Sequence, residues 1–261
     1  TVGSATIHAN QIHIRGNTAH WLGAGVFVGD ASLVMSASTI AQNHATAGSG
    51  GGVTVYAGSL ILNRATVDEN RAAESGGAVD LQGGSLEMVD SQMRYNYARF
   101  GAALFARPRN DQISPPTAQM EGVDVVANGC LSSSNGSTNV TTRYGGGMYI
   151  EGAVQISLVE NSRVRANCAT LGGGVYMRDG AALNFSTHSE LSSNEAVAGG
   201  GVLALYSSTV TFAKAVALIE NRAIDDHAAT LDACDDIQRG GGGAVARRLR
   251  RAVRAARALR A

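Results

Sequence analysis

Short stretches of alternating apolar and polar residues recur along most of the chain. Residues 53–55 (VTV) and 175–177 (VYM) alternate after a run of glycines, and residues 59–62 (SLIL) show a second recurring pattern. A third apolar position stands three residues before a recurring asparagine, at Ile14, Ile40, Val67, Met93, Val125, Val164, Leu191 and Leu218. A period of two is typical of β-strands. Strands this short cannot each bury a face unless successive copies stack.

The asparagine and the glycines recur in phase. The asparagines are Asn17, Asn43, Asn70, Asn96, Asn128, Asn167, Asn194 and Asn221, at steps of 26, 27, 26, 32, 39, 27 and 27 residues. A glycine-rich segment such as GAGV, GGGV or GGAV follows each of them. Regular self-similarity at this period indicates a solenoid.

Three short strands per repeat predict an all-β fold, a right-handed parallel β-helix of about eight turns of 26–27 residues. Successive turns would pair at a spacing of about 4.8 Å. A helical solenoid is the competing architecture, but glycine triplets with β-branched and aromatic residues at alternate positions are poor helix formers. We expect the eight asparagines to be structural. They would point inward at one corner and form a ladder of amide hydrogen bonds.

The pairing of GGA[IV] or GGGV with an apolar-x-x-Asn element resembles the repeats of chlamydial polymorphic outer-membrane proteins. It is also similar to the broader right-handed β-helix, or pectin-lyase-like, superfamily. The resemblance covers roughly residues 5–245 and implies a secreted or surface-displayed region used for adhesion. The C-terminal outer-membrane barrel of the chlamydial proteins has no counterpart here, so autotransport is not implied.

Charge separates the body of the chain from its end. Residues 1–246 hold all 21 acidic residues but only 14 of the 21 basic ones, whereas residues 247–261 hold seven arginines and no acid. The acidic body disfavours nucleic acid as a partner. The tail 247–261 has apolar residues at helical spacing and predicts a short Arg-rich helix beyond a β-helix domain at 1–246. No apolar run reaches the length of a transmembrane helix.

Three insertions interrupt the repeats, at residues 106–118, 129–144 and 225–239. Loops on a rigid scaffold are common places for binding, although each can equally be a tolerated surface insertion. The third insertion is acidic. Its carboxylates make weak calcium candidates, although their spacing matches no known calcium loop. They are Asp225, Asp226, Asp232, Asp235 and Asp236.

Alternation also predicts which side chains point outward. On the first strand the outward column is Phe27, Thr54, Asp80, Phe105, Tyr149, Tyr176 and Leu203. Phe105, Tyr149 and Tyr176 fall in three successive turns and would form an exposed aromatic strip. Flat rings of this kind suit stacking on sugars or on a protein partner. The alternative is a side-chain stack that only stabilises the sheet.

The residues at outward positions give little support for a catalytic function. Outward positions of adjacent turns supply no facing pair of carboxylates of the kind a glycosidase needs. Asp124 lies one turn from Arg163 and Arg165, which makes them weak catalytic candidates for a polysaccharide lyase. The same three residues could form an ordinary ion pair between turns. The sequence therefore favours a binding module over an enzyme.

Two of the three cysteines lie where a disulfide between turns could form. Cys130 and Cys168 lie close to the repeated asparagine in consecutive turns, so a disulfide between them is possible, although they are offset by one residue. Cys234 falls in the acidic insertion.

Together these features predict a secreted or cell-surface module for adhesion or for binding a polysaccharide or surface protein. No cofactor or bound metal is expected. The alternative is a pectin-lyase-like carbohydrate-active enzyme, a lyase or a hydrolase.

Overall fold

The computed structural model describes residues 5–110, 114–132, 138–140 and 142–223. The chain divides into one compact unit, Thr1–Ile224, and a second, Asp225–Ala261. All described residues belong to the first unit. The acidic insertion 225–239, the domain boundary after residue 246 and the Arg-rich tail 247–261 lie outside the described residues and stay predictions.

The first unit is an all-β parallel solenoid of about eight turns. Its largest sheet has 13 strands: β1 (Ala5–Asn10), β4 (Val26–Ser36), β7 (Val53–Asn63), β10 (Val79–Leu81), β11 (Ser85–Val89), β13 (Leu104–Ala106), β14 (Thr117–Glu121), β18 (Met148–Glu151), β19 (Gln155–Val159), β22 (Val175–Arg178), β23 (Ala182–Phe185), β26 (Val202–Ala204) and β27 (Thr209–Phe212). It combines the first and second predicted strands of each turn, because β4 and β7 run continuously through both.

A second sheet takes the third strand of every turn. Its eight strands are β2 (His13–Arg15), β5 (Thr39–Ala41), β8 (Thr66–Asp68), β12 (Gln92–Arg94), β15 (Asp124–Val126), β20 (Arg163–Arg165), β24 (Glu190–Ser192) and β28 (Ala217–Ile219). Shorter strands follow the asparagines: β3 (Thr18–Ala19), β6 (His44–Ala45) and β9 (Arg71–Ala72) form one sheet, and β21 (Cys168–Leu171), β25 (Glu195–Ala198) and β29 (Arg222–Ala223) form another. The described residues contain no helix, and hence none that could span a membrane.

Inward-facing side chains of successive turns stack into one core. Leu60 pairs with Leu33 and Leu86 on either side, and Val67 pairs with Ile40 and Met93. All six are buried. Because each turn covers the apolar face of its neighbours, strands of three to five residues bury area that none could bury alone.

The predicted asparagine ladder is present. In each of seven links the Nδ2 of one asparagine donates to the Oδ1 of the asparagine in the next turn, at 2.9–3.1 Å. From Asn43 onward, Nδ2 also donates to the backbone oxygen of the apolar residue three positions before the preceding asparagine, as from Asn70 to Ile40. The six inner asparagines are fully buried. These bonds satisfy backbone groups at the corner, where no strand partner is present.

The first glycine of each triplet turns the chain sharply before the first strand. Gly76 has φ +62°, and a Cβ there would lie 2.5 Å from the carbonyl oxygen of Val79 and 2.7 Å from the Cα of Asp80. Only glycine combines that backbone angle with so close an approach. The residue before it is thereby folded back over the outer face of the strand that follows.

Two of the insertions are attached to the solenoid. In the insertion 106–118, Arg109 donates from Nη1 to the backbone oxygen of Tyr56 at 3.2 Å and lies over its ring at 3.3 Å. In the insertion 129–144, β16 (Cys130–Ser132) pairs antiparallel with β17 (Thr138–Val140). A disulfide joins Cys130 to Cys168 in the next turn, with the Cα atoms 5.1 Å apart.

Candidate functional site

An open groove lies on the corner that follows the asparagine ladder. It has a volume of about 590 Å³ and is lined by His44, Thr46, Arg71, Ala72, Ala73, Tyr97, Ala98, Arg99 and Arg143. The lining residues come from four successive turns. The groove therefore runs from turn to turn along the solenoid and crosses the short strands.

The repeat itself places these side chains. His44, Arg71 and Tyr97 each follow a ladder asparagine directly, and they are paired partners in register. Thr46 and Arg99 stand three residues after their asparagines, and the backbone nitrogen of Arg143 donates to the backbone oxygen of Arg99 at 2.9 Å. Neighbouring turns thus present side chains at steps of about 4.8 Å.

Small residues leave the space that forms the groove. Ala72 and Ala98 are buried beneath it and belong to an apolar cluster with Ala24 and Ala45. Ala73, exposed between Thr46 and Arg99 in the neighbouring turns, has a side chain too short to fill the space above this floor. The longer side chains on either side form the walls.

The side chains that line the groove are mainly basic. Its described lining contains three arginines, one histidine and no carboxylate. Arg71 is exposed. Arg99 makes a long contact of 3.9 Å with Glu74 and lies 5.2 Å from the ring centroid of Phe100, and the Arg99 and Glu74 side chains are both about half exposed. Burial, and after it the nearby carboxylate of Glu69, raises the pKa of Tyr97, so its hydroxyl is a neutral hydrogen-bond donor at physiological pH. Guanidinium groups and a phenol together suit carboxylate or sulfate oxygens.

The predicted aromatic strip forms, but it is not exposed. The ring centroids of Phe105 and Tyr149 lie 5.0 Å apart, and those of Tyr149 and Tyr176 lie 5.2 Å apart, with near-parallel planes. Their exposed fractions are only 5%, 5% and 6%. The expectation of an exposed strip is therefore wrong, and ligand binding through these rings stays a prediction that lacks accessible ring surface.

Two other rings cover the strip. Phe100 and Tyr144 precede the turn glycines Gly101 and Gly145, so the glycine turn folds them back over the sheet. They stack on each other at 5.5 Å, and Tyr144 meets Tyr149 and Tyr176 edge to face at 6.4 and 4.9 Å. Burial is the main reason why the pKa values of the Tyr149 and Tyr176 hydroxyls are raised.

The same outward column is polar in the two preceding turns. Asp80 pairs in register with Phe105 on one side and Thr54 on the other, yet it is fully buried. Gln82 donates to its carboxylate at 2.6 Å, and Ser75 donates at 3.4 Å. Burial raises the pKa of Asp80 to about 7, against the lowering effect of these two hydrogen bonds and of Arg107.

The three weak catalytic candidates, Asp124, Arg163 and Arg165, lie in contact with one another through Asp124. Arg165 contacts both carboxylate oxygens of Asp124, with its Nη2 2.6 Å from Oδ2, and the Nη2 of Arg163 lies 3.3 Å from the same oxygen. The hydrogen bond to Asp124 raises the pKa of Arg165, although partial burial opposes the shift. A raised pKa makes the guanidinium a poorer general base. The three residues thus form an ion pair between turns, and a catalytic role stays untested.

The calcium candidates Asp225, Asp226, Asp232, Asp235 and Asp236 lie outside the described residues. Within the part of the chain that the structure describes, no three His, Cys, Asp or Glu side chains are grouped so that they could hold a metal ion.

The groove was missed by sequence reasoning because its arginines do not recur in every turn. The signal was nonetheless readable. His44, Arg71 and Tyr97 occupy the same position after three consecutive ladder asparagines, and short strands in register must bring such positions together. Arg143 was harder to place, because the insertion before it hides its repeat position.

Comparison of the chain with protein-family models, with curated proteins and with solved structures found no match.

Proposed function

We propose that this solenoid is a binding module for a linear acidic polysaccharide, which lies along the groove and is held by Arg71, Arg99 and Arg143. The observation that carries the proposal is an open groove across four turns whose described lining holds three arginines and no carboxylate. In this proposal the module binds the polysaccharide for adhesion and does not catalyse a reaction.

The spacing of the turns supports a polymer rather than a small ligand. Side chains recur at about 4.8 Å per turn, which is comparable to the length of one pyranose unit in an extended chain. A regular row of guanidinium groups can therefore meet a regular row of carboxylates or sulfates. Arginine makes paired hydrogen bonds to both anions.

An extracellular setting is part of the proposal. The disulfide between Cys130 and Cys168 supports it, since such bonds persist mainly in oxidising compartments. Right-handed turns, as in the pectin-lyase-like β-helices that the sequence resembles, are also proposed. Parallel strands joined by crossovers within one sheet are right-handed in about 98% of cases. An experimentally phased crystal structure with left-handed turns would remove that likeness.

The test is calorimetric titration with polygalacturonate, heparin and neutral dextran, using wild type, Arg71→Ala and Arg222→Ala. Arg222 is a matched control, because it also directly follows a ladder asparagine but lies outside the groove. We expect polygalacturonate or heparin to bind and dextran not to bind. Arg71→Ala should weaken binding about tenfold, since a lost charged hydrogen bond is worth about 1.5 kcal/mol, and Arg222→Ala should leave it unchanged.

The two acidic polymers separate carboxylate from sulfate recognition. Salt should weaken the interaction, because exposed charges are screened. Equal losses in the two arginine variants, or binding of none of the polymers, would overturn the proposal. Tighter binding of single-stranded nucleic acid than of either polysaccharide would also overturn it.

Cleavage of a polysaccharide is the second candidate function. The convergence of Arg163 and Arg165 on Asp124 favours it, with contacts of 3.3 and 2.6 Å. The polymers recovered from the titration would reveal it by their length. Chains shortened by wild type but not by Arg165→Ala would establish a lyase or hydrolase at that cluster.

A further inference from the structure

Trp21 is the only tryptophan in the chain, and 65% of it is exposed. It lies in the segment between β3 and β4, where its ring meets the ring of His20 edge-on at 4.7 Å. An indole is the largest apolar side chain, and leaving it in water forgoes the stabilisation that its burial would provide. About two thirds of the side chain is therefore accessible to a partner.

Trp21 adjoins the groove at its N-terminal end. Thr46 lines the groove, and its Oγ1 lies 3.4 Å from the Nδ1 of His20, the residue next to Trp21. Backbone bonds hold the two segments in register, since the nitrogens of Thr46 and Ala47 donate to the oxygens of Ala19 and His20 at 2.9 Å. The indole thus stands one turn beyond the last lining residue, on the same corner of the solenoid.

We propose that Trp21 is a sugar-stacking subsite that extends the groove by one turn. The proposal rests on the function proposed above. A polysaccharide held by Arg71 and Arg99 and running along the corner would present its next pyranose unit to the first turn. The apolar C–H face of that ring would lie on the indole, which provides flat apolar area without charge.

The subsite implies a length threshold. The groove spans four turns, or about 14 Å between the first and the last, and the turn of Trp21 brings this to about 19 Å. A trisaccharide can occupy the arginines without reaching the indole, whereas an octasaccharide covers both. In this proposal a short ligand is bound by the arginines alone, whereas a longer ligand also stacks on the indole.

The single tryptophan makes the test direct. Oligogalacturonates of three and eight units are titrated by calorimetry, and tryptophan fluorescence and its quenching by acrylamide are followed in parallel. We expect the octamer, but not the trimer, to change the emission and to protect it from acrylamide. Trp21→Ala should weaken octamer binding about fivefold, in the range that aromatic stacking contributes, and should leave trimer binding unchanged.

Two variants serve as controls. Trp21→Phe retains a flat ring and should recover most of the octamer affinity. Phe212→Ala removes another exposed ring, 42% accessible, on β27 in a late turn, and should have no effect. Octamer binding that depends on Arg71 but leaves the emission of Trp21 unchanged would overturn the stacking subsite and leave the proposed function standing. Binding of neither oligomer would overturn both.

Discussion

The outer face of the large sheet is built differently in two neighbouring stretches of one continuous column. In its polar half, Thr54 and Asp80 are buried beneath Ser49 and Ser75. The hydroxyl groups of the two serines lie 2.7 Å apart and continue the stack between turns. The strands are the same parallel strands in the same register as those that follow.

The aromatic half begins one turn later. There the column holds Phe105, Tyr149 and Tyr176, and Phe100 and Tyr144 take the covering positions that the serines hold before. The backbone tolerates either filling because the glycine turn always folds the preceding residue back over the sheet. In the turns from Thr54 to Tyr176 the covering residue therefore buries side chains that point outward from the sheet.

Removing the central ring should have the largest effect on the aromatic half. Tyr149→Ala deletes a side chain stacked on both sides and leaves a cavity under Phe100 and Tyr144. We expect the free energy of unfolding to fall by about 3–5 kcal/mol, measured by urea denaturation. The matched change in the polar half, Thr54→Ala, should lower it by about 1 kcal/mol or less. Equal losses would show that the two halves are packed alike.

The buried carboxyl of the polar half should make stability depend on pH. Because its pKa is raised from 3.8 to about 7, the folded protein binds the Asp80 proton more tightly than the unfolded chain does. This contribution is fully present below about pH 4 and is lost as the pH rises to 7. Asp80→Asn keeps the shape without the charge. We expect it to stabilise the protein at pH 8 by on the order of 4 kcal/mol.

Denaturation at pH 4 should find Asp80→Asn and wild type nearly equal, since Asp80 is largely protonated in the folded state there. Asp30→Asn, which changes an exposed side chain, is the control and should have little effect at either pH. A gain for Asp80→Asn that is the same at pH 4 and pH 8 would contradict the assignment.

The smallest effect concerns one hydroxyl of the aromatic half. Tyr149→Phe retains the stack but loses the bond from Oη to the Oε2 of Glu151, at 2.8 Å. We expect a loss of about 1–2 kcal/mol in urea denaturation, limited because Glu151 keeps its contact with Arg178. In the described part of the chain the Tyr176 hydroxyl has no hydrogen bond, so Tyr176→Phe should be nearly neutral. A neutral Tyr149→Phe would show that ring packing alone stabilises this half.

The ladder could be predicted because its chemistry is local and repeated. Asn43 and Asn70 do the same thing in every turn, and the spacing alone places each amide beside the next. The apolar core follows for the same reason, since a period of two assigns one face of each strand to the interior.

The burial of side chains on the outer face could not be predicted in the same way. Alternation places Tyr149 outside the core, which is correct, but burial by Tyr144 depends on where the chain rejoins the solenoid after the insertion 129–144. The groove likewise depends on where the chain rejoins the solenoid after that insertion. Arg99 and Arg143 belong to neighbouring turns although 44 residues separate them in the chain. Such contacts are set by insertion length, which has no periodic signature.

The asparagine ladder also gives the solenoid a direction. Every link from Asn17 to Asn221 runs the same way, with the amide of the earlier turn donating and that of the later turn accepting. The bond dipoles therefore add along the axis instead of cancelling, and each polarises the next. Each inner turn offers its predecessor an acceptor and its successor a donor. A whole turn can consequently be duplicated or lost in evolution without changing the kind of bond at any junction, so the length of the molecule can vary independently of its cross-section.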